Sequence, residues 1–286
     1  MDVCILTNKY LKEYQINTIK TAIREADMNI RLVVVNEPRN PDIDPEAKSE
    51  AVNSRLGSET VRLFIKMVRR ERWWSLVIAE KKISELLGSD AADSTLVPVN
   101  NIDCFREAEI KHVTPIEDGA WSELPPDVVI HIANNCDVVI RYGFGLLRGG
   151  VLSAPEFGVL SFHPADIRKY RGLGPPKVWL DNQELIGVTL QRITDNIDSG
   201  EIVAYDEVKI DDCKTLWEVY KRVHDAEVKL LSEGIKLLQD RPTEVIIPES
   251  LGSYNSTSLR QELSFSGRIL FKNTKGRIRR WIGNKL

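Results

Sequence analysis

Apolar and polar positions change period along this chain in an order that predicts a layered α/β fold. Residues 3–7 form a short unbroken apolar run, as expected of a strand covered on both faces. Residues 13–26 space their apolar positions as a helix does, and residues 30–36 (IRLVVVN) are again an apolar, β-branched run. Strand, helix, strand in this order predicts parallel pairing through a right-handed crossover. The stretch EPRNPDIDPEAKSE then reads as a polar, proline-bearing loop, and residues 58–87 return to helical spacing. Residues 95–120 look irregular, with short apolar pieces such as TLVPV. Pro125 and Pro126 suit the first turn of a helix over PPDVVIHIANN, and CDVVIRYGFGLL predicts a strand entering a glycine-containing loop. A buried strand over residues 157–162, an alternating pair GVTLQRI and EIVAYDEVKI around a turn, and a long helix over residues 214–239 complete the domain.

Composition narrows the classes. A chain of 286 residues can bury one large core with a small appendage, and the composition shifts at RPTEVIIPESLGSYNSTS. We therefore expect a catalytic domain over residues 1–240 and a short C-terminal extension over 241–286. The net charge of -3 lacks the global basic excess that favours nucleic acid. Cys4, Cys104, Cys136 and Cys213 are far apart and form no C-x-x-C pair, so neither a zinc site nor a disulfide framework is suggested and a cytoplasmic location is expected. No apolar run suits a signal peptide or a membrane span.

Local charge clusters have ordinary readings. Arg62, Lys66, Arg69, Arg70 and Arg72 beside Trp73 and Trp74 read better as a solvated helix face than as a phosphate site. His131, inside a helical pattern, reads as structural. The basic end, residues 266–286 (SGRILFKNTKGRIRRWIGNKL), fits peripheral contact with an anionic membrane, contact with RNA phosphates, or a helix packed on the domain with its charges in water.

The candidate chemistry lies in FGVLSFHPADIRKYRG, residues 157–172. Pro164 cannot donate a ladder hydrogen bond, so the strand should stop at His163. A strand's carboxyl end is where open α/β sheets bind ligands. If neighbouring strands of one sheet deliver YGFGLL (142–147), SFHPADIRKYRG (161–172) and GVTLQRITDNIDSGEI (187–202), then Gly145 forms one wall and His163 the floor. The loop carrying Asp195 and Asp198 forms the other wall. A carboxylate brought to the imidazole would orient it and allow proton exchange.

In order and spacing these residues, over 137–209, resemble the formyltransferase family that uses 10-formyltetrahydrofolate. That family includes the glycinamide ribonucleotide, methionyl-tRNA and amino-sugar formyltransferases. The resemblance implies a Rossmann-like, mostly parallel sheet flanked by helices, and a reaction that needs no metal. It assigns His163 as the catalytic histidine, with Asp198 tuning it. It also implies that Thr194, Asp195, Asn196 and Ile197 cradle the pterin through backbone groups, with Gly145, Leu146 and Leu147 as the facing wall and Tyr170, Arg171 and Gly172 closing the turn. Two departures stand out. Ser161 replaces the asparagine that donates to the oxyanion, and Ala165, Asp166, Ile167 and Arg168 replace S-L-L-P.

The activity implied is transfer of a formyl group from 10-formyltetrahydrofolate to a small-molecule primary amine. An amino sugar carried on a nucleotide is preferred, because the methionyl-tRNA enzymes carry a further barrel domain. A tRNA acceptor, hydrolysis to formate, and a silent folate-binding module remain the alternatives.

Overall fold

A computed structural model of the chain describes residues 1–37, 68–86 and 95–283. Strand β1 (Asp2–Thr7) is buried from its second residue, Val3, onward. The short β2 (Tyr10–Lys12) leads into α1 (Glu13–Glu25), which turns Ile16, Ile19 and Ala22 inward at helical spacing. The chain returns as β3 (Asn29–Asn36), parallel to β1. After α2 (Trp74–Leu86), β4 (Leu96–Pro98) pairs with β2, and β5 (Glu109–Val113) runs parallel to β3. Next come β6 (Ile116–Asp118), β7 (Trp121–Glu123), α3 (Pro126–Asn135), β8 (Val138–Arg141) and β9 (Leu146–Leu147). The remainder holds β10 (Val159–His163), β11 (Tyr170–Gly172), α4 (Pro175–Leu180), β12 (Leu185–Arg192) and β13 (Glu201–Lys209). It ends with α5 (Leu216–Asp240), β14 (Ser253–Asn255) and α6 (Leu263–Gly283).

Seven strands form the central sheet in the order β13-β12-β10-β8-β1-β3-β5. Pairing is parallel from β5 to β10 and antiparallel for β12 and β13, giving the expected Rossmann-like, mostly parallel α/β sheet. Alternation along β1 builds both faces: Val3 and Ile5 pack with α1 and α5, whereas Cys4 and Leu6 pack with Val128 and Ile132 of α3. Helix α5 is started by Thr215, whose hydroxyl accepts from the Glu218 N–H.

Three local expectations need correction. Residues 95–120 are not irregular throughout, since β5 is the edge of the central sheet. Only Val113 of its five residues is buried, so its period-2 signal is weak. The helical pattern over 58–87 is broken at Arg72, which adopts a φ of 48°, so that α2 starts at Trp74; Arg62 and Lys66 lie outside the described residues. Trp74 is buried against Phe265, while Trp73 stays 44% exposed. Finally, Phe157 precedes β10, because Gly158 turns the chain with a φ of 69° before the strand begins.

The last segment is sewn onto the sheet region. Ile246 bridges Ile202, β14 pairs with β11, and α6 packs on α2 and α4. Gly172 sits at that seam with a φ of 74°, and a Cβ there would lie 2.3 Å from the Asn255 carbonyl oxygen. Gly172→Ala is therefore expected to cost about 1 kcal/mol or more, read as a lower urea midpoint at unchanged m-value.

Candidate active site

Strands β12, β10 and β8 are neighbours in the central sheet, so the three candidate segments leave it side by side. Strand β10 ends at His163, as the following proline requires. The loop after β12 turns back through Asp198, held at a φ of 46°, a backbone conformation that costs energy for a residue other than glycine. It carries the carboxylate to the imidazole, with His163 Nδ1 3.3 Å from Asp198 Oδ1. The other ring nitrogen, Nε2, lies 2.9 Å from the Tyr170 carbonyl oxygen. A neutral imidazole has one N–H to offer and can satisfy only one of these acceptors, whereas a doubly protonated ring satisfies both.

Asp198 is itself well supported. The Gly172 N–H donates to Oδ2 at 2.8 Å, and the Gln191 side-chain amide donates to Oδ1 at 3.1 Å. Burial alone would raise its pKa. The His163 contact, its charge, and the Gly172 and Gln191 donors outweigh burial and hold the carboxyl below the ordinary aspartate value. The sequence Tyr170–Gly172 thus does two jobs: a carbonyl for the histidine and an N–H for the aspartate.

Ser161 lies two residues before His163, on the same strand, and faces Arg141 of β8 and Gln191 of β12 in register. The Arg141 guanidinium donates to Ser161 Oγ twice, from Nε at 3.2 Å and from Nη2 at 2.8 Å. Its Nη1 donates to the Gly145 carbonyl. Burial draws Arg141 below the ordinary arginine range, and the Asp198 charge opposes that shift. Arg141 and Gln191 are the residues that sequence reasoning missed. The available signal was an arginine closing an otherwise apolar strand, CDVVIR, immediately before the tyrosine and glycine of the loop.

The remaining candidates are dispersed. Leu147 is buried and Leu146 half-buried, both paired in β9 with β7, so they form an apolar shoulder beyond Gly145. Thr194, Asp195 and Asn196 are exposed. The Thr194 and Ser199 hydroxyls bond each other at 3.1 Å, which folds the loop on itself. The Ile197 carbonyl accepts from Arg171 at 2.6 and 3.1 Å. Among the described residues Asp195 forms no ion pair with His163, so the two aspartates do not converge; Asp198 reaches the ring. Asp166 and Arg168 pair at 2.8 Å, and the arginine stacks over the Tyr205 ring at 4.3 Å, so this charged replacement is tied to β13.

Similarity to known proteins falls on this region. The profile of the formyl transferase family matches residues 122–235. A methionyl-tRNA formyltransferase from Lachnospira eligens is 28% identical over 151 residues, 52% of this chain and 47% of the relative. One from Thermotoga neapolitana is 34% identical over 108 residues, 37% of this chain and 34% of the relative. The chain thus spans under half the length of the curated relatives it matches. Among solved structures, the N-formyltransferase from Helicobacter canadensis, in complex with folinic acid and dTDP-3-aminofucose, shares the fold with a TM-score of 0.54 at 13% identity. That likeness covers 96% of this chain and 80% of the other. Over residues 122–235, the stretch that carries His163 and Asp198, this chain is similar to the formyl transferase family.

Proposed function

We propose that this protein transfers a formyl group from 10-formyltetrahydrofolate to the primary amine of an amino sugar carried on a nucleotide, with residues 1–240 holding the chemistry. The observation that carries the reading is the buried His163–Asp198 pair at the carboxyl end of β10, with the Arg141–Ser161 donors beside it. The reduced folate, when bound, supplies the electrophilic formyl carbon. The residues present fit such a group: an apolar shoulder at Leu146 and Leu147 faces an exposed polar loop at Thr194, Asp195 and Asn196. The Gly145 and Ile197 carbonyls are already engaged by Arg141 and Arg171, and both backbone groups of Asn196 by the Thr194 and Ser199 hydroxyls, so the outward backbone at Thr194 and Asp195 is the stretch open to a heterocycle.

Each side chain then has a distinct task. Asp198 fixes the His163 ring through Nδ1. Nε2 exchanges the Tyr170 carbonyl for substrate, gives a proton to the departing nitrogen as its bond to the formyl carbon breaks, and is reloaded by the proton that the attacking amine loses. Ser161 and Arg141 direct N–H and O–H groups at the formyl oxygen, where negative charge develops as the amine adds. The arginine supplies a second, longer donor where the serine hydroxyl alone is short. The Nδ1 contact to Asp198 and the two-pronged grip of Arg141 on Ser161 are in place without substrate, so the reorganisation required falls on the Nε2–Tyr170 contact.

The names of the curated relatives favour a second acceptor, charged initiator tRNA, while the solved neighbour holding a sugar nucleotide supports the first by fold. Purified protein assayed with 10-formyltetrahydrofolate against a panel of amino-sugar nucleotides and methionyl-tRNA decides between them. Formylation of a sugar nucleotide is the expected result. Turnover of tRNA alone overturns the acceptor, and formate release that is independent of any amine overturns transfer itself.

A further inference from the structure

Helix α6 contains six cations and no carboxylate, and the fold sorts them into two sets. Lys272, Arg277 and Arg280 are bound inward. Lys272 donates to the Trp179 carbonyl and, at 3.0 Å, to Asn182; Arg277 pairs with Glu80 of α2 at 2.8 Å; Arg280 pairs with Glu218 of α5. Asn273, on the same inner face, accepts from the Leu216 N–H at 2.9 Å and donates to Glu80 at 2.9 Å. Phe265 and Ile269 are buried beneath. These contacts fix which face of the helix looks outward.

The outward face combines exposed apolar side chains with the second set of cations. Phe271 is 70% exposed, Trp281 63%, Ile278 53% and Ile282 49%. Phe271, Ile278 and Ile282 fall on one stripe at helical spacing, with Trp281 adjoining it. Arg268, Lys275 and Arg279 are also exposed, and no ion pair involves them among the described residues. All three border one cavity of about 480 Å3, which places them along a single edge of the apolar stripe. Of the two acidic residues on that cavity's opposite wall, Glu184 and Asp211, the latter is paired with Lys209 at 3.1 Å.

We propose that the outer face of α6 docks the protein on an anionic lipid bilayer, with Phe271, Ile278, Trp281 and Ile282 entering the interface and Arg268, Lys275 and Arg279 meeting lipid phosphates. An exposed apolar stripe edged by cations is the pattern of helices that lie in the plane of a membrane surface. Charge complementarity selects this occupant over a second copy of the chain. A two-fold contact through this face would set its cations against the same cations, with no carboxylate on the helix to answer them. It selects it over RNA as well, since Ile278 and Ile282 offer a nucleic acid neither charge nor a stacking surface.

The test is co-sedimentation of the full chain with vesicles of phosphatidylcholine, with and without phosphatidylserine. Binding is expected only with phosphatidylserine, and it should weaken as salt rises. Removing the three cations together (R268Q/K275Q/R279Q) is expected to weaken it on the order of 100-fold. The exposed apolar pair F271S/I278S should weaken it as well while leaving the thermal melting temperature unchanged. Three results would overturn the proposal: no sedimentation with anionic vesicles, sedimentation indifferent to both variants, or a dimer in sedimentation velocity that F271S/I278S dissolves. The readout needs no formyl transfer, so its outcome is separate from that of the catalytic reading.

Discussion

His163→Ala is expected to reduce the proposed formyl transfer by about 100- to 10,000-fold, the range that a positioned proton-transfer group contributes. The loss should fall on kcat, because the ring is nearly inaccessible, 3% exposed, and offers little to ground-state binding. Asp198→Asn should produce a comparable loss by a different route, since the amide has one acceptor oxygen where the carboxylate has two: kept on Nδ1–H it turns its NH2 against the Gly172 N–H, and flipped it turns the NH2 against the ring. Asp198 also allows a check that is independent of catalysis. Its carboxyl is held below the ordinary aspartate value of 3.8 in the folded protein, so the unfolded chain binds that proton more readily. The stabilisation is thus present above pH 3.8 and fades as pH falls through the lower, folded value. Thermal melts of Asp198→Asn should show a deficit against the parent at neutral pH that closes in acid. Full activity in His163→Ala, confirmed as folded by circular dichroism, would remove the mechanism.

Arg141→Met is expected to lower kcat by about 100- to 1,000-fold, equivalent to about 2.7–4 kcal/mol, as for loss of one good donor to a developing oxyanion. Methionine keeps much of the stem volume, so the change isolates the guanidinium from its packing. Arg141→Lys retains the charge but not the two parallel N–H groups that reach Ser161, and should fall between the two. A double replacement makes the role specific. Ser161→Asn alone crowds the arginine and should impair the proposed transfer, whereas Ser161→Asn with Arg141→Ala exchanges one donor arrangement for the one the family resemblance implies, and should recover part of the lost rate. Two single losses that exceed the double loss would be the signature of a shared function, measured as a coupling energy. Simple additivity would mean that Arg141 acts only as a prop for the strand end.

Much of the scaffold was legible in order along the chain. The apolar runs at β1, β3, β8 and β10 are buried on both faces, which makes them continuous and easy to read. Edge strand β5 escaped because only Val113 is buried and Glu109, Lys111 and His112 interrupt its apolar positions. The break at Arg72 was equally silent, since a single residue with positive φ leaves the helical spacing on either side intact. At the site, Pro164 marked where β10 must stop, and the turn residues around Asp198 marked a loop. Arg141 was passed over because nothing local says that a strand-terminal arginine will find a serine 20 positions later.

Taken by itself, then, the sequence determined the order of the main buried strands and long helices, the end of the strand at His163, and the candidate chemistry of the three segments that resemble the formyltransferases. These are consequences of local periodicity, of proline's missing donor and of spacing along the chain. Only the tertiary structure decided which partners those groups meet: Asp198 and the Tyr170 carbonyl on the two ring nitrogens, Arg141 on Ser161, and three of the six cations of α6 turned outward. The reason is that strand register and helix packing join residues that are distant in the chain, and the desolvation of each charge is set by what is brought against it.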